Sequence, residues 1–366
     1  MTVGFDSPLP PARTGVADYA ASLLAALRRH GAVEVNPRRA DVRLYHLGNN
    51  HLHRDIYQRA LARPGVAVLH DAVLQHFFLG SLDEQEYAEE FVYNYGEWHR
   101  ELARQLWRGR SSSGLSQRYF MYPMLRRIAE VSHAVVVHNP AAARMVREHA
   151  PAARVVEIPH LFAPPDLPSE AETQRYRQTL GLSPRQFVFG VFGYLRESKR
   201  IMNILRAFDP VQRRVPGSVL LICGDFVSRD LARAAEPLLG APGVLRLPHL
   251  PEREFWLAAS AVDACINLRY PGAGETSGIS VRLMGIGKPV MVTTGEETVH
   301  YPETACFRIP PGVTEKASLA EHGLVAASLP ETVLAMGRRA AEHIRSFHSL
   351  DRVAEQYWQT LCAIGH

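Results

Sequence analysis

Ala264-Cys265-Ile266-Asn267-Leu268-Arg269-Tyr270-Pro271-Gly272-Ala273-Gly274-Glu275-Thr276-Ser277-Gly278-Ile279-Ser280-Val281-Arg282-Leu283-Met284-Gly285-Ile286-Gly287-Lys288-Pro289-Val290-Met291-Val292-Thr293 is the stretch that decides the fold. Residues 264–268 form a short apolar run that reads as a strand, and a glycine-rich turn follows over 269–278. A run with helical spacing then continues to Gly287, where Lys288-Pro289 stops it ahead of a second apolar strand at 290–293. This reading puts Glu275, Thr276 and Ser277 in the first turn of the helix, one carboxylate and two hydroxyls. The free amides of a first turn, with the helix dipole behind them, make an anion site suited to a diphosphate. Gly278 lets the backbone approach a ligand closely, and Glu275 can accept hydrogen bonds from sugar hydroxyls. The combination points to a sugar nucleotide. A dinucleotide fingerprint fits less well, because Gly272-x-Gly274-x-x-x-Gly278 is one residue too long and lies late in the chain. Strand-to-helix turns of this kind also occur in α/β proteins that bind nothing there.

Outward from this stretch the same alternation runs through the chain. Strand-like runs fall at 3–5, 42–46, 66–69, 134–137 and 155–158, and a second set at 187–192, 219–223, 244–247, 264–268, 290–293 and 306–309. Helical periodicity fills the gaps, at 16–28, 141–149, 202–208, 252–259 and 330–344. Alternating strands and helices imply parallel sheets covered on both faces. The chain has 366 residues, beyond the size at which one core keeps growing, and the Pro-rich break at 162–168 separates the two sets. Two domains are expected, at 1–165 and 172–347, facing each other across a cleft.

Composition narrows the class. A 46% hydrophobic and 21% charged chain is an ordinary globular protein, and no apolar run approaches the roughly 20 residues that span a bilayer. With no charged-then-apolar leader, a cytoplasmic enzyme is the simplest expectation. A formal net charge of +4 is too small for a nucleic-acid binder. The four cysteines form no Cys-x-x-Cys pair, so neither a disulfide framework nor a zinc site is indicated. Of 41 basic residues only three are lysines, Lys199, Lys288 and Lys316. In so arginine-rich a chain, a retained lysine marks a position that arginine does not fill.

The Gly-Glu-Thr-Ser-Gly turn, with Met284, Gly287, Pro289 and Val290 behind it, resembles the donor motif of the retaining glycosyltransferases of family 4, in a bacterial variant. The resemblance implies the GT-B fold, two Rossmann-like doubly wound parallel-sheet domains with the donor held by the C-terminal one. It also implies a last helix, about 348–366, that packs back on the N-terminal domain. Two positions depart from the pattern. Arg282 stands where a second Glu would hold the ribose, and Tyr194 follows Gly193 where an Arg is usual.

The turn Gly193-Tyr194-Leu195-Arg196-Glu197-Ser198-Lys199 supplies the second chemical element. Read alone it is a basic surface turn. In the resembling family an Arg or Lys pair here neutralises the donor diphosphate; Lys199 matches one member, and Arg196 or Arg200 would replace the other. A cation fits the chemistry, since breaking a glycosyl–phosphate bond builds negative charge on the leaving group. The resemblance likewise implies that Gly15, in the first strand-to-helix turn, opens the backbone to the donor, and that His70, at the end of the strand 66–69, lies near the reacting sugar. A metal site of the His-Asp type, using His70, Asp71 and His76 with His46, His51 or His53, is the rival reading. Those last three flank Gly48-Asn49-Asn50 and read as polar lining of the cleft. No Asp-x-Asp pair is placed to hold a diphosphate-bound cation, so no metal and no cofactor is expected.

A helical insertion of about 77–131 carries an acidic front and a basic back (Arg100, Arg104, Arg108, Arg110, Arg118, Arg126, Arg127) with Trp98, Trp107 and Tyr119 between them. It reads either as aromatics packed on the first sheet or as a membrane-surface contact through 100–127 on the inner face. The expected activity is hexosyl transfer from a nucleoside-diphosphate sugar to a hydroxyl of a glycan, lipid-linked or small-molecule acceptor, in glycan or cell-envelope biosynthesis. His70, Lys199 and Glu275 would act on the reacting groups. Gly15, Arg196, Lys199, Glu275, Thr276, Ser277, Gly278, Ile279 and Arg282 would bind the donor. A non-catalytic sugar-nucleotide-binding protein and a sugar-nucleotide epimerase are the alternatives.

Overall fold

The inner strands are short and almost wholly apolar, as in Val66-Ala67-Val68-Leu69 and Ala134-Val135-Val136-Val137, and are buried on both faces. Only parallel sheets covered by helices on each side accommodate such strands. A computed structural model describes all residues except Arg13 and His366. Among the described residues twelve strands form two six-stranded parallel sheets. The chain divides into two compact units, Met1–Ala163 with Pro271–Thr276 and Phe347–His366, and Pro164–Tyr270 with Ser277–Ser346.

In the first unit the strands are β1 (Thr2–Asp6), β2 (Ala32–Val35), β3 (Val42–Leu47), β4 (Val66–Leu69), β5 (Ala134–Val137) and β6 (Val155–Glu157), in the order β2-β1-β3-β4-β5-β6. The second unit holds β7 (Val188–Phe192), β8 (Val219–Cys223), β9 (Val244–Leu247), β10 (Ala264–Asn267), β11 (Val290–Thr293) and β12 (Cys306–Ile309), ordered β12-β11-β10-β7-β8-β9. Strand β2 was not anticipated; it is an edge strand with only Val33 buried, so its hydrophobic signal is one residue deep.

Register decides what each sheet presents at its carboxyl edge. His46 pairs with Val68 across β3 and β4, and Val68 pairs with Val136 across β4 and β5. Side chains two residues apart share a face, so His46, His70 and His138 all lie on one face of the first sheet. Leu44, two residues before His46, pairs with Phe5, which adds Phe5 to that face. The helices Gly15–Leu27 and Leu350–Cys362 cover it, burying Tyr19, Leu23, Val353 and Tyr357 against Phe5, Val68 and Val136. The opposite face, through Tyr45, Leu47, Leu69 and Val137, packs on the helices Arg54–Ala62, Gln75–Ser81 and Glu84–Tyr95.

The helical segment after β4 pairs its two charge blocks with each other. Arg100 bridges Glu89 and Glu97, Arg108 lies 3.6 Å from Glu84, and Arg127 donates to the largely buried Glu90 at 2.6 Å. Tyr119 is buried and Trp107 packs on the core, while Trp98 is 99% exposed. Much of the charge that would draw this segment to anionic lipid is therefore offset by its own carboxylates. Among the described residues no helix is long and apolar enough to cross a membrane.

Candidate functional site

In the second unit the chain leaves β7 through Gly193, whose φ of +83° is the left-handed region that glycine enters without a Cβ clash. A Cβ built there would stand 3.1 Å from the Lys199 ammonium and 3.8 Å from Ile279 Cγ1. Glycine thus lets Lys199 fold back over the strand end, where Nζ donates to the Phe192 carbonyl. The same contacts bring Lys199 close to the first turn of the helix Gly278–Gly285. Lys199 is buried, and its ammonium is held well below its ordinary pKa, first by burial and then by the positive charges of Arg269 and Arg196. Burial and the two neighbouring arginines all disfavour the charged form of Lys199, and a bound anion would favour it.

Arg269 was not anticipated as part of this group. It follows β10, anchored by its amide on Thr293 Oγ1 (2.9 Å), and no spacing in the sequence relates it to Lys199. Arg200, the other candidate for the missing arginine, is engaged elsewhere: its Nε donates to the fully buried Glu315 at 2.8 Å, beside Asn203. Tyr194 stacks nearly parallel to His249, at 5.9 Å between ring centroids. Lys288 is a structural tie, donating to the Ser260 and Val262 carbonyls at the end of the helix Glu252–Ala261. Arg282 lies over the rings of Phe255 and Trp256, each at 4.4 Å, and 3.7 Å from Glu252.

The Gly-Glu-Thr-Ser-Gly turn differs from the sequence expectation in one respect. The helix begins at Gly278, with Ser277 as its N-cap accepting from the Ser280 amide, so Glu275 and Thr276 precede the helix and do not occupy its first turn. The reason is local. Gly274 adopts φ +69° and turns the chain, and the Glu275 carboxylate accepts from the Ala273 amide at 2.6 Å, closing the loop on itself. Asn267 donates to the Ser277 and Ser280 hydroxyls and fixes the cap.

Residues Pro271–Thr276 belong to the first unit, and the Asn139 side chain makes two of the bonds that tie them to it. Asn139 caps the helix Pro140–His149 through Oδ1, leaving Nδ2 to donate to the Gly274 carbonyl and to Thr276 Oγ1, both at 2.9 Å. Thr276 Oγ1 in turn donates to the His138 carbonyl, and the Ala72 amide donates to the Ala273 carbonyl at 2.8 Å. A Cβ on Gly274 would come within 2.7 Å of Ala72 Cβ. Gly274→Ala is expected to cost about 2–4 kcal/mol from left-handed backbone and overpacking, a fall of roughly 5–15 °C in Tm. An unchanged melting curve would contradict this close packing.

The first unit also places His70. It follows β4, with its amide on the Leu47 carbonyl and its ring Nε2 2.9 Å from His46 Nδ1. Around it lie His138 (5.1 Å between centroids) and Tyr19 (4.8 Å), whose hydroxyl meets that of Tyr357 at 3.0 Å. His46 and His53 are fully buried, which corrects the expectation that they are polar lining of a cleft; His51 is exposed. Burial holds His46 down at about 3 and His53 and His138 at about 4, and it holds His70 well below its ordinary value. Among the described residues no group of three or more His, Cys, Asp or Glu is arranged to hold a metal ion. Gly15 opens the helix Gly15–Leu27 behind the N-cap Thr14, and a Cβ there would touch nothing. A cavity of about 660 Å³ lined by Arg38, Arg63 and His133 opens at the amino edge of the first sheet, away from all of these residues. Parallel sheets take ligands at their carboxyl edge.

No family model matches the chain, and no curated protein matches it. Solved structures do. Its fold is similar to that of Anabaena HepE in complex with UDP-glucose (TM-score 0.70, 15% identity, 99% of this chain and 100% of that one). It is also similar to the sucrose-phosphate synthase of Thermosynechococcus elongatus (TM-score 0.68, 14% identity, 100% and 99%). A third is WaaG, a glycosyltransferase involved in lipopolysaccharide biosynthesis (TM-score 0.65, 15% identity, 98% and 99%). The fold is GT-B. At this identity the likeness extends to the fold and leaves the chemistry to the residues.

Proposed function

We propose that this chain is a glycosyltransferase of the family 4 type, moving a hexosyl group from a nucleoside-diphosphate sugar to an acceptor hydroxyl with retention and without a metal. The observation that carries the reading is the buried Lys199, flanked by Arg196 and Arg269 beside the start of the helix Gly278–Gly285, in a GT-B fold. A desolvated cation group of this kind compensates a diphosphate whose charge grows as the bond from the anomeric carbon to phosphate oxygen breaks. In the proposed step that bond breaks, a bond from the anomeric carbon to the acceptor oxygen forms, and the acceptor proton passes to the departing phosphate oxygen. Lys199, with Arg196 and Arg269, holds the diphosphate, and the amides of 277–279 add donors. His70, at a sheet's carboxyl edge, donates to a sugar hydroxyl, and Glu275 accepts from another. Arg282, held over Phe255 and Trp256, shapes the wall of the donor site and does not replace a ribose carboxylate.

That UDP and UDP-glucose are bound in HepE supports a uridine donor as the first to test. The test is turnover of UDP-, dTDP-, GDP- and ADP-hexoses, with the nucleotide and sugar products separated. Diphosphate release that accelerates with an acceptor, and a sugar recovered on that acceptor, is the expected result. Binding without bond cleavage for every donor and acceptor would replace this reading with a sugar-nucleotide-binding protein. Release of diphosphate with an epimerised free sugar would replace it with an epimerase.

A further inference from the structure

We propose that His46 is a positioning residue that holds His70 in a single neutral tautomer, with the proton on Nδ1, so that His70 presents a hydrogen-bond donor and not a base. The role of that donor rests on the reading above; the tautomer does not. His46 Nδ1 and His70 Nε2 are 2.9 Å apart, and exactly one of two neutral rings must supply the proton between them. If His70 supplied it, His46 would keep its own proton on Nε2. That atom is buried with no partner among the described residues, so a donor would be stranded in the core. If His46 supplies it, the stranded atom is a bare acceptor, which buried sites tolerate better than an unmade N–H.

The neighbouring histidines show the same choice. His53 Nδ1 faces the His46 carbonyl and His138 Nδ1 faces the Ile158 carbonyl, both at 2.9 Å, and a carbonyl can only accept. Each must therefore carry its proton on Nδ1, and each leaves a bare, buried, unpartnered Nε2. His46 completes a set of three. Its backbone carbonyl accepts from His53, and its ring packs on Phe5 (4.8 Å between centroids) and His70 (5.2 Å). With Nε2 occupied by His46, His70 carries its remaining proton on Nδ1. That atom has no partner among the described residues and is not among the sealed ones. The groups facing His70 are His46, His138, His160, His53 and Tyr19, and no carboxylate among them favours an imidazolium.

The test is nitrogen NMR on histidine-labelled full-length protein, with His46 and His70 assigned by substitution. The expected result is a neutral His70 protonated on Nδ1, unchanged from about pH 8 to about pH 6, where the first unit stays folded. A proton on Nε2, or an imidazolium near neutrality, would overturn the proposal. His46→Asn, whose amide nitrogen falls near the place of Nδ1, keeps the tautomer, whereas His46→Leu releases His70 to the Nε2–H form. If His46→Leu folds and His70 keeps the proton on Nδ1, His46 is not its determinant. In turnover, His46→Leu lowers kcat about tenfold with KM little changed, as for one lost charge-free donor, and His46→Asn recovers most of it. The spectra need no substrate, so they stand or fall separately from the glycosyltransferase reading.

Discussion

Lys199→Ala lowers kcat for sugar transfer by about 10²–10³-fold, with a smaller change in KM. The asymmetry follows from when the charge is needed. The diphosphate of an intact donor already carries charge, but the leaving group gains more as the glycosyl bond breaks, and that increment is met by a desolvated ammonium. A loss confined to KM would place Lys199 in ground-state binding only. The same site makes a second, pH-dependent result. In the free protein burial and the charges of Arg269 and Arg196 hold the Lys199 pKa down, and a bound diphosphate removes the repulsion and raises it. Between the free and bound values the complex holds more protons than the free protein, so affinity falls as pH rises and binding takes up protons. Calorimetry in buffers of different ionisation enthalpy reads that uptake directly, and a pH-independent affinity across the alkaline range would contradict it.

The first unit loses stability steeply in mild acid. His46, His53 and His138 are neutral in the fold, with values held down to about 3, 4 and 4 by burial, whereas in the unfolded chain each takes a proton near its ordinary value. Their folded values are depressed, so the stability present above about pH 6.5 is lost as pH falls from there towards the folded values. Three such groups give a slope of up to ~4 kcal/mol per pH unit between about pH 6 and pH 4. Against the 5–15 kcal/mol of a typical domain, the first sheet unfolds by about pH 4–5. Hydrogen exchange should show β3, β4 and β5 losing protection in this interval while β8 of the second unit keeps it. Equal protection at pH 7 and pH 4.5 in both sheets would contradict the buried neutral cluster. His46→Leu, if folded, should flatten the slope by about one third.

How much of this was legible beforehand depends on the range of the interaction that places each residue. Eleven of the twelve strands are apolar runs bounded by turn residues, a signal carried within five or six positions, and they could be read from the chain. The edge strand β2 could not, because a strand exposed on one side needs little hydrophobicity. The helix starts at Gly278, three residues beyond the start that its sequence suggests: Ser277 and Glu275 are both good helix-start residues, and only the backbone at Gly274 shows which one caps. The grouping of Lys199 with Arg269 arises from neighbouring strands β7 and β10, whose residues are far apart in sequence. The His46–His70–His138 array is likewise a product of register, which no single segment encodes. Lys288, one of three retained lysines, is explained by two carbonyls that only the fold brings to it.

Calorimetric titration of wild type and Lys199→Ala with UDP, dTDP, GDP and ADP, and with the matching monophosphates, tests the central claim most directly. One diphosphate should bind wild type in the micromolar range, with its monophosphate much weaker. Lys199→Ala, still folded, should lose most of that preference. Absence of binding by any nucleotide at millimolar concentration, or equal affinity in Lys199→Ala, would contradict the account.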